Sequence, residues 1–433
     1  MTKKDTVIAI RGGLVVDGSE RAASKNDVLI VDGKVVEVSA HIDVPSSAST
    51  IDASGCVVGP GLVDLHAHLR EPGNEAAETV ETGSRAAALG GYTAIVAMPN
   101  TTPAIDNAAV VKQVLALGLA AGLCEVHVAG AITIGRAGEQ LAPMGEMAEL
   151  GVRIFTDDGA GVQNNRLMRR ALEYASAFGV VLAQHCEDAA LSEGGVMHEG
   201  AWSSKLGLPG QPAEAEELMV MRDIALCRRT GAPVHFLHMS TAGSVELIRR
   251  AKADGLPVTA EAAPHHFSLT DACLENYDTV FKVHPPLRTD VDVAAVKVGL
   301  ADGTIDAIAT DHAPHSPETK ERPMLEAPPG MLGLQTALSV AITELQLPIE
   351  RIFALLSSGP ARIAQIGADH GTLAVGRLAN VCVIDPGAKW TVDASTLASK
   401  ARNTPYAGRT LHGVVRHTIL HGIATVTNSE AQR

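Results

Sequence analysis

Aromatic residues are scarce in this chain, because its 433 residues include only 2 Trp, 4 Tyr and 6 Phe. A protein with so few aromatic side chains lacks the stacking platforms that single-stranded nucleic acids require. Positive charge is also in deficit, since 35 Lys and Arg face 49 Asp and Glu and give a formal net charge of −14. Such a charge repels phosphate backbones. We therefore expect no nucleic-acid partner, and we expect an aliphatic core.

Long apolar runs and paired cysteines are missing as well. No stretch of the sequence approaches the ~20 consecutive apolar residues that a membrane-spanning helix needs. The six cysteines are scattered, and none of them forms a Cys-x-x-Cys pair. Scattered cysteines in a long chain are most simply buried, reduced thiols. The sequence thus predicts a soluble cytoplasmic protein without a membrane partner.

The two ends of the chain share a β-rich character. Near the N-terminus, residues 28–31 and 34–38 read as short strands separated by Asp32 and Gly33, a pair suited to a hairpin turn. Residues 379–384 and 414–419 have the same character near the C-terminus. We expect residues 1–56 and 370–433 to build one composite β-sandwich.

The middle of the chain, residues 57–369, alternates short apolar runs with helix-like segments such as 107–117, 213–229 and 244–253. Eight runs read as strands: residues 57–65, 92–97, 125–129, 152–155, 180–183, 234–237, 258–260 and 307–310. Eight strands that alternate with helices are typical of the α/β class and of the (β/α)8 TIM barrel. In that fold, polar residues at the C-terminal ends of strands are the default catalytic candidates.

Polar side chains stand at the ends of six of these predicted strands. Taken singly, each has a bland explanation: a lone histidine after an apolar run is more often a core residue, and Asp-Asp-Gly is more often a turn. Their joint position at one face of the predicted barrel favours a functional site. The strand-end residues are His66, His68, Arg70, Asn100, Asp157, Asp158, His185, His238, Asp311 and His315.

Four imidazoles and two carboxylates exceed the three protein ligands of a single catalytic zinc. They suit two ions held ~3.5–4 Å apart, with a shared carboxylate and a shared hydroxide. Two cations lower the pKa of the shared water, so that hydroxide exists near neutral pH. A carboxylate on the last strand can then accept its proton and pass it to a leaving group.

Five segments together resemble the type I dihydroorotases of the amidohydrolase superfamily, which are cyclic amidohydrolases. The resemblance covers almost the whole chain and includes Asn403, Pro405 and Gly408 near the C-terminus. The five segments are Gly59-Pro-Gly-Leu-Val-Asp-Leu-His-Ala-His-Leu-Arg70, Ala97-Met-Pro-Asn-Thr101, Phe155-Thr-Asp-Asp-Gly159, Lys282-Val-His-Pro-Pro-Leu-Arg288 and Thr310-Asp-His-Ala-Pro-His315.

This resemblance implies a role for each matching residue. The pair His66 and His68 would bind one zinc ion, and the pair His185 and His238 would bind another; one or two Zn2+ per subunit are implied, with two favoured. Asp158 would bridge the ions, and Asp311 would be both a metal ligand and the catalytic general acid and base. The substrate-binding set would be His68, Arg70, Asn100, His284, His315, Pro329 and Gly330. An arginine suits this set, because its planar fork pairs with a carboxylate.

The end of the fourth strand distinguishes the close relatives. Dihydropyrimidinases, hydantoinases and allantoinases resemble this chain but bridge their metals with a carbamylated lysine. Here the strand ends in Asp157 and Asp158, and no lysine lies between Lys112 and Lys205. The choice of Asp158 over Asp157 rests on its spacing to His185. A departure stands at His284, where type I members often have asparagine, and we expect it to tune substrate binding.

The implied activity is the reversible cyclisation of N-carbamoyl-L-aspartate to L-dihydroorotate in de novo pyrimidine (UMP) biosynthesis, by zinc-activated hydroxide with Asp311 as general acid and base. One alternative is another cyclic amidohydrolase, namely a dihydropyrimidinase, hydantoinase or allantoinase. A second alternative is a non-catalytic dihydroorotase-like subunit of aspartate transcarbamoylase, against which all six ligand types are retained. We expect a homo-oligomer, with a possible complex with aspartate transcarbamoylase.

Overall fold

A computed structural model describes residues 7–44, 46 and 48–432. Its central element is a ring of eight short parallel strands, almost wholly buried, although Glu125 and His127 of the third strand are only partly so. In chain order, the barrel strands are β1 Leu62–Ala67, β2 Tyr92–Ala97, β3 Glu125–Val128, β4 Ile154–Phe155, β5 Val181–Gln184, β6 Val234–Phe236, β7 Val258–Ala262 and β8 Ala307–Ile308.

Ladder hydrogen bonds join β1 to β3 in one sheet and β4 to β8 in another. Single bridges complete the ring, because Gly130 pairs with Phe155 and Ala67 pairs with His312. The predicted (β/α)8 barrel is therefore confirmed, and a strand lies at each of the eight predicted places, although the first differs in extent. Small and branched side chains fill its interior, including Leu65, Val96 and Ala183.

The helices begin and end where the sequence supplies caps. Thr79 and Asn107 accept hydrogen bonds from the first turns of the helices that follow them. Gly231 ends another helix in the left-handed conformation that glycine adopts at little cost. The α-helices of the described residues are Val80–Leu89, Ala108–Ala121, Met144–Glu149, Asn165–Ser176, Ala189–Ser192, Ala201–Leu206, Glu214–Thr230, Ala242–Ala253, Asp290–Asp302, Pro317–Lys320, Ala337–Glu344, Ile349–Phe353 and Gly359–Ile363.

The described residues also form a π-helix at Ala354–Ser358 and several short 3₁₀ turns. The 3₁₀ turns are Ile134–Arg136, Pro264–Phe267, Asp271–Asn276, Thr279–Phe281 and Ala394–Thr396. Among the described residues, no helix combines the length and the apolar character needed to cross a membrane.

Both ends of the chain meet in one mixed nine-stranded sheet, which we call the terminal sheet. Strands from the N-terminal part, with Val28 and Val35, and strands from the C-terminal part, with Val381 and Ile419, share one apolar cluster. The sheet therefore folds over on itself as a β-sandwich does. Its strands are Val7–Val15, Ser24–Val31, Lys34–Ser39, Ser49–Asp52, Val57–Pro60, Val381–Thr391, Thr410–Leu420, Ile423–Thr427 and Glu430–Ala431. A short pair of strands, Met197–His198 with Gly210–Gln211, belongs to neither the barrel nor the terminal sheet.

One predicted strand is wrong in its extent. Residues 57–65 were expected to form a single barrel strand, but Val57–Pro60 pairs with Val7–Val15 and Val381–Thr391 in the terminal sheet. The barrel strand begins only after Gly61, whose missing side chain leaves room for Thr93: an added Cβ would lie 2.2 Å from the Thr93 Cγ2. The terminal sheet thus extends to Pro60, beyond the expected limit at residue 56. The domain limits stay a prediction, and residues 1–6 lie outside the described residues.

Candidate metal centre

Six polar residues converge at the C-terminal end of the barrel. They come from five different strands, as the parallel arrangement requires, and each is almost completely buried. His238 and Asp311 have φ angles of 35° and 45°, an uncommon left-handed conformation for residues other than glycine. Such backbone strain is typical of functional sites. The six residues are His66 and His68 on β1, Asp158 after β4, His185 after β5, His238 after β6 and Asp311 after β8.

Asp158 lies at the centre of four imidazoles. Its Oδ1 is 3.4 Å from His66 Nε2, 3.4 Å from His185 Nδ1 and 3.6 Å from His238 Nε2. Its Oδ2 is 3.6 Å from His68 Nε2. The carboxylate therefore stands between the histidine pair of β1 and the pair that follows β5 and β6, where a group shared by two ions would have to be.

Asp311 closes the opposite side of the cluster. Its Oδ1 lies 3.2 Å from His68 Nε2 and 3.6 Å from His66 Nε2. Burial raises the pKa of Asp311, but the surrounding imidazoles outweigh burial and hold this pKa below its usual value. The group is thus an anion that faces both the imidazoles and the open pocket.

Asp157 has a different orientation from its neighbour. Its Oδ1 accepts hydrogen bonds from the backbone N–H groups of Ile132 and Thr133, at 2.9 and 3.0 Å. Its Oδ2 accepts a hydrogen bond from the Thr133 hydroxyl. Asp157 therefore anchors the loop after β3, and only Asp158 of the two aspartates contacts the imidazoles.

The cluster has the donor chemistry that a zinc-type ion requires. His66 Nε2 is a buried ring nitrogen with no hydrogen-bond partner among the described residues, although it faces two carboxylates. His185 Nδ1 and His238 Nε2 lie 3.0 Å apart, so two lone-pair-bearing atoms converge on the same space. Ligand atoms of His66, His68 and Asp311, and of His66, Asp158 and His238, lie within 4.8 Å of one another. These residues fit a divalent cation with nitrogen and oxygen ligands.

The charges of the cluster also favour a bound cation. Burial disfavours charge at Asp158, but its imidazole neighbours outweigh this effect and hold its pKa well below the usual value. In return Asp158 and Glu187 raise the pKa of His185 to about 10 despite its burial. A cluster that retains two buried carboxylates must take up positive charge, and a metal ion can supply what protons would otherwise supply.

The sequence reading overlooked a carboxylate behind the histidines. Glu261 on β7 is completely buried, and its Oε1 lies 3.0 Å from His66 Nδ1. Its Oε2 lies 3.0 Å from His235 Nε2. A carboxylate on the second ring nitrogen fixes the tautomer and orientation of a metal-binding histidine. The available signal is a glutamate inside the apolar run Val258-Thr-Ala-Glu-Ala262.

Two further residues near the cluster were also overlooked. His265 follows β7, and its Nε2 lies 3.9 Å from Asp311 Oδ2. Burial lowers the pKa of His265 to about 4, so its ring is neutral at physiological pH. Glu187 lies on the other side, with its Oε2 3.5 Å from His185 Nε2 and 3.6 Å from His284 Nδ1.

A cavity of about 250 Å³ opens above the cluster. All of the predicted substrate-binding residues line it, together with every predicted metal ligand except the deeper His66. Arg70 enters from the loop after β1, where its Nε donates to the Pro314 carbonyl at 3.1 Å. Its Nη2 lies 3.3 Å from His315 Nε2. The arginine fork is thus held at the cavity wall, close to the carboxylates and imidazoles.

Several members of the predicted substrate set already have protein partners. Asn100 Oδ1 accepts from His68 Nδ1 at 2.8 Å, which leaves His68 Nε2 free to bind a cation. The Pro329 carbonyl accepts from His315 Nε2 at 2.8 Å, and the Gly330 N–H donates to the Lys282 carbonyl at 2.9 Å. These contacts fix the cavity wall, and Asn100 has a positioning contact that the sequence did not predict.

Several known proteins with sequences similar to this one are named dihydroorotases. The family model described as "Dihydro-orotase-like" matches residues 55–244. A dihydroorotase from Pelotomaculum thermopropionicum is 52% identical over 96% of this chain and 97% of its own length. A dihydroorotase from Anaeromyxobacter dehalogenans is 50% identical over 99% of both chains. One from Mycobacterium leprae is 49% identical over 94% of this chain and 96% of its own.

Solved structures share the fold at lower identity. An L-hydantoinase (dihydropyrimidinase) from Arthrobacter aurescens matches with a TM-score of 0.87 and 26% identity, over 98% of this chain and 97% of that chain. A dihydropyrimidinase from Brevibacillus agri matches with a TM-score of 0.83 and 23% identity, over 99% of this chain and 96% of that one, and this likeness concerns the fold alone. Because it is 49–52% identical to the three dihydroorotases over nearly its whole length, this chain belongs to the dihydroorotase family.

Proposed function

We propose that this chain is a dihydroorotase, an enzyme that interconverts N-carbamoyl-L-aspartate and L-dihydroorotate. The observation that carries the proposal is the 52% identity to a relative named dihydroorotase over 97% of that relative's length. The cavity supports the same reaction, because it combines a metal-type cluster with an arginine fork at its wall. A cyclic amide that bears a free carboxylate would satisfy both parts.

We assign the metal as zinc, with two ions per chain favoured over one. His66 and His68 would hold the first ion and His185 and His238 the second, with Asp158 shared between them. When bound, such ions polarise a carbonyl oxygen and supply a hydroxide nucleophile near neutral pH. Glu261 and Asn100 would keep the rings of His66 and His68 in the orientation that this binding requires.

The residues of the chain itself would perform three tasks. Arg70 would pair in two parallel hydrogen bonds with the substrate carboxylate and so fix the ring above the cluster. Asp311, an anion that faces the cavity, would accept the proton of the attacking water and deliver it to the ring nitrogen as the amide bond breaks. His315 would leave the Arg70 guanidinium unopposed by a second positive charge. Burial and the Arg70 charge lower the pKa of His315 to about 3, so its ring stays neutral.

The rival cyclic amidohydrolases share the fold but differ at two positions. Hydantoins, dihydropyrimidines and allantoin lack the carboxylate that Arg70 would bind. The bridging position is held by Asp158, and no lysine is available between Lys112 and Lys205 for carbamylation. A non-catalytic subunit is disfavoured because all six candidate ligands are present and gathered. Cytoplasmic location, homo-oligomer formation and a complex with aspartate transcarbamoylase stay predictions.

The decisive experiment is a hydrolysis assay on protein whose metal content has been quantified. We expect turnover of dihydroorotate with zinc bound, and little or none of hydantoin and allantoin. Faster turnover of either control substrate would overturn the substrate assignment. Metal-free protein that stays inactive after zinc is restored would favour the non-catalytic alternative.

A further inference from the structure

A second cluster of histidines lies at the opposite end of the barrel. Glu125 is the first residue of β3, and His127 follows on the same strand. His370 comes from the segment after the last barrel helix, and His421 comes from the turn between two strands of the terminal sheet. Four residues from three distant parts of the sequence therefore meet where the barrel contacts the terminal sheet.

The three imidazoles surround one carboxylate. Glu125 Oε1 lies 3.3 Å from His127 Nε2. Glu125 Oε2 lies 3.1 Å from His370 Nε2 and 3.2 Å from His421 Nε2. Around a zinc ion with bonds of about 2.0–2.1 Å in tetrahedral geometry, neighbouring ligand atoms are about 3.3 Å apart. The separations of 3.1–3.3 Å between the imidazole nitrogens and the Glu125 oxygens are compatible with ligands of one ion as well as with hydrogen bonds.

All three imidazoles stabilise the Glu125 carboxylate, but only one contact has good hydrogen-bond geometry. His370 Nε2 makes that hydrogen bond, while the buried His127 Nε2 and His421 Nε2 face Glu125 with poorer hydrogen-bond geometry. His66 Nε2 has the same character in the candidate metal centre. Glu125, His127 and His370 also present ligand atoms that all lie within 4.8 Å of one another.

The surroundings hold the cluster in place. Asn380 accepts a hydrogen bond from the His421 backbone N–H at 2.9 Å through Oδ1, and its Nδ2 lies 3.3 Å from His370 Nδ1. Arg153 lines the adjacent cavity of about 280 Å³, but its guanidinium donates to backbone carbonyls and not to Glu125. The three imidazoles hold the pKa of Glu125 well below its usual value, so the carboxylate is an anion.

We propose that Glu125, His127 and His370, with His421 beside them, form a second metal site, which binds one zinc-type divalent cation and links the barrel to the terminal sheet. Imidazole ligands select zinc and its neighbours over magnesium or calcium, which prefer oxygen. Because this end of a TIM barrel serves stability and not catalysis, the site is structural. The inference is independent of the proposed dihydroorotase activity.

The test compares zinc content, measured by elemental analysis, in wild-type protein and in the Glu125→Gln and His127→Gln variants. We expect each variant to lose one zinc per chain while kcat and KM for dihydroorotate stay unchanged. His41→Gln is the matched control, since its side chain is 74% exposed and belongs to neither cluster. Zinc should also raise the unfolding temperature of the wild type more than that of either variant.

A second measurement keeps the proposal falsifiable if those variants fold poorly. His421→Gln changes a side chain that is 40% exposed and should fold normally. Anomalous diffraction at the zinc edge from wild-type crystals should show a peak between Glu125 and the three imidazoles, and the peak should weaken in His421→Gln. Equal zinc content in all proteins and no peak at this position would overturn the proposal. Loss of activity in these variants at unchanged zinc content would also contradict it.

Discussion

Asp311 is the residue on which the proposed chemistry most depends. Its carboxylate contacts His66 and His68 and faces the cavity, a position from which one oxygen can bind a cation while the other carries a proton. An amide of the same shape keeps the packing but cannot act as a base. The role of Asp311 can therefore be separated from its contribution to the structure.

We expect Asp311→Asn to lower kcat for dihydroorotate by about 10²–10⁴-fold, the usual contribution of a general acid or base. Folding should be retained, and zinc content should be largely retained because five other candidate ligands remain. Steady-state kinetics together with elemental analysis and circular dichroism check these statements. A variant with near-normal kcat would rule out the proposed role.

Arg70 is the residue that directs the site toward a carboxylate. We expect Arg70→Gln to raise KM for dihydroorotate by about 10–100-fold, because a charge-assisted pair contributes about 1.5–3 kcal/mol. Zinc content should not change, since the arginine touches none of the candidate ligands. Any residual turnover of hydantoin, which has no carboxylate, should be unaffected. An equal loss with both substrates would show that Arg70 only supports the cavity wall.

At the scale of elements, the junction between the terminal sheet and β1 has little room for side chains. Gly59 and Gly61 lie where the chain passes from the terminal sheet into the barrel, and an added Cβ at Gly59 would lie 2.2 Å from the Phe353 ring. The apolar character of residues 57–65 does not reveal this change, because both parts of the run are equally buried. Pairing partners that are distant in sequence decide it.

We expect Gly61→Ala to destabilise the protein by about 1–3 kcal/mol, the usual cost of overpacking. The added methyl group would meet Thr93 at 2.2 Å and displace β1 against β2. Gly367→Ala is a matched control, since its added Cβ would meet only the Ala361 carbonyl oxygen, at 3.9 Å. Denaturant unfolding of both variants measures the difference, and equal stability would contradict the tight approach at Gly61.

The sequence predicts the barrel elements but not every contact between them. Barrel strands follow from local apolar runs, and strand-end histidines follow from the fold, so the cluster around Asp158 could be predicted. Glu261 escaped because its chemistry lies inside a strand and its partner His66 is 195 positions away. The cluster of Glu125, His370 and His421 escaped for a similar reason, since only the packing of the terminal sheet against the barrel brings these residues together.

At the scale of the whole molecule, the barrel and the terminal sheet share one apolar core. The main cluster contains Leu62 and Phe353 next to Ile384 and Leu411 of the terminal sheet. Hydrogen bonds cross the same boundary, such as that from the Thr418 hydroxyl to the Ala88 carbonyl at 2.8 Å. A core shared in this way predicts that neither part is stable alone.

The scarcity of tryptophan makes this cooperativity measurable. The chain has 2 Trp, and they lie in different parts: Trp202 in the helix Ala201–Leu206 beside the barrel, and Trp390 in the terminal sheet, where its Nε1 donates to Ser339 at 3.0 Å. The variants Trp202→Phe and Trp390→Phe each retain one fluorescent reporter. We expect their urea midpoints to coincide with each other and with that from circular dichroism, as two-state unfolding requires. A terminal sheet that melted first would move the Trp390 midpoint below the Trp202 midpoint, and the shared core would then not couple the two parts.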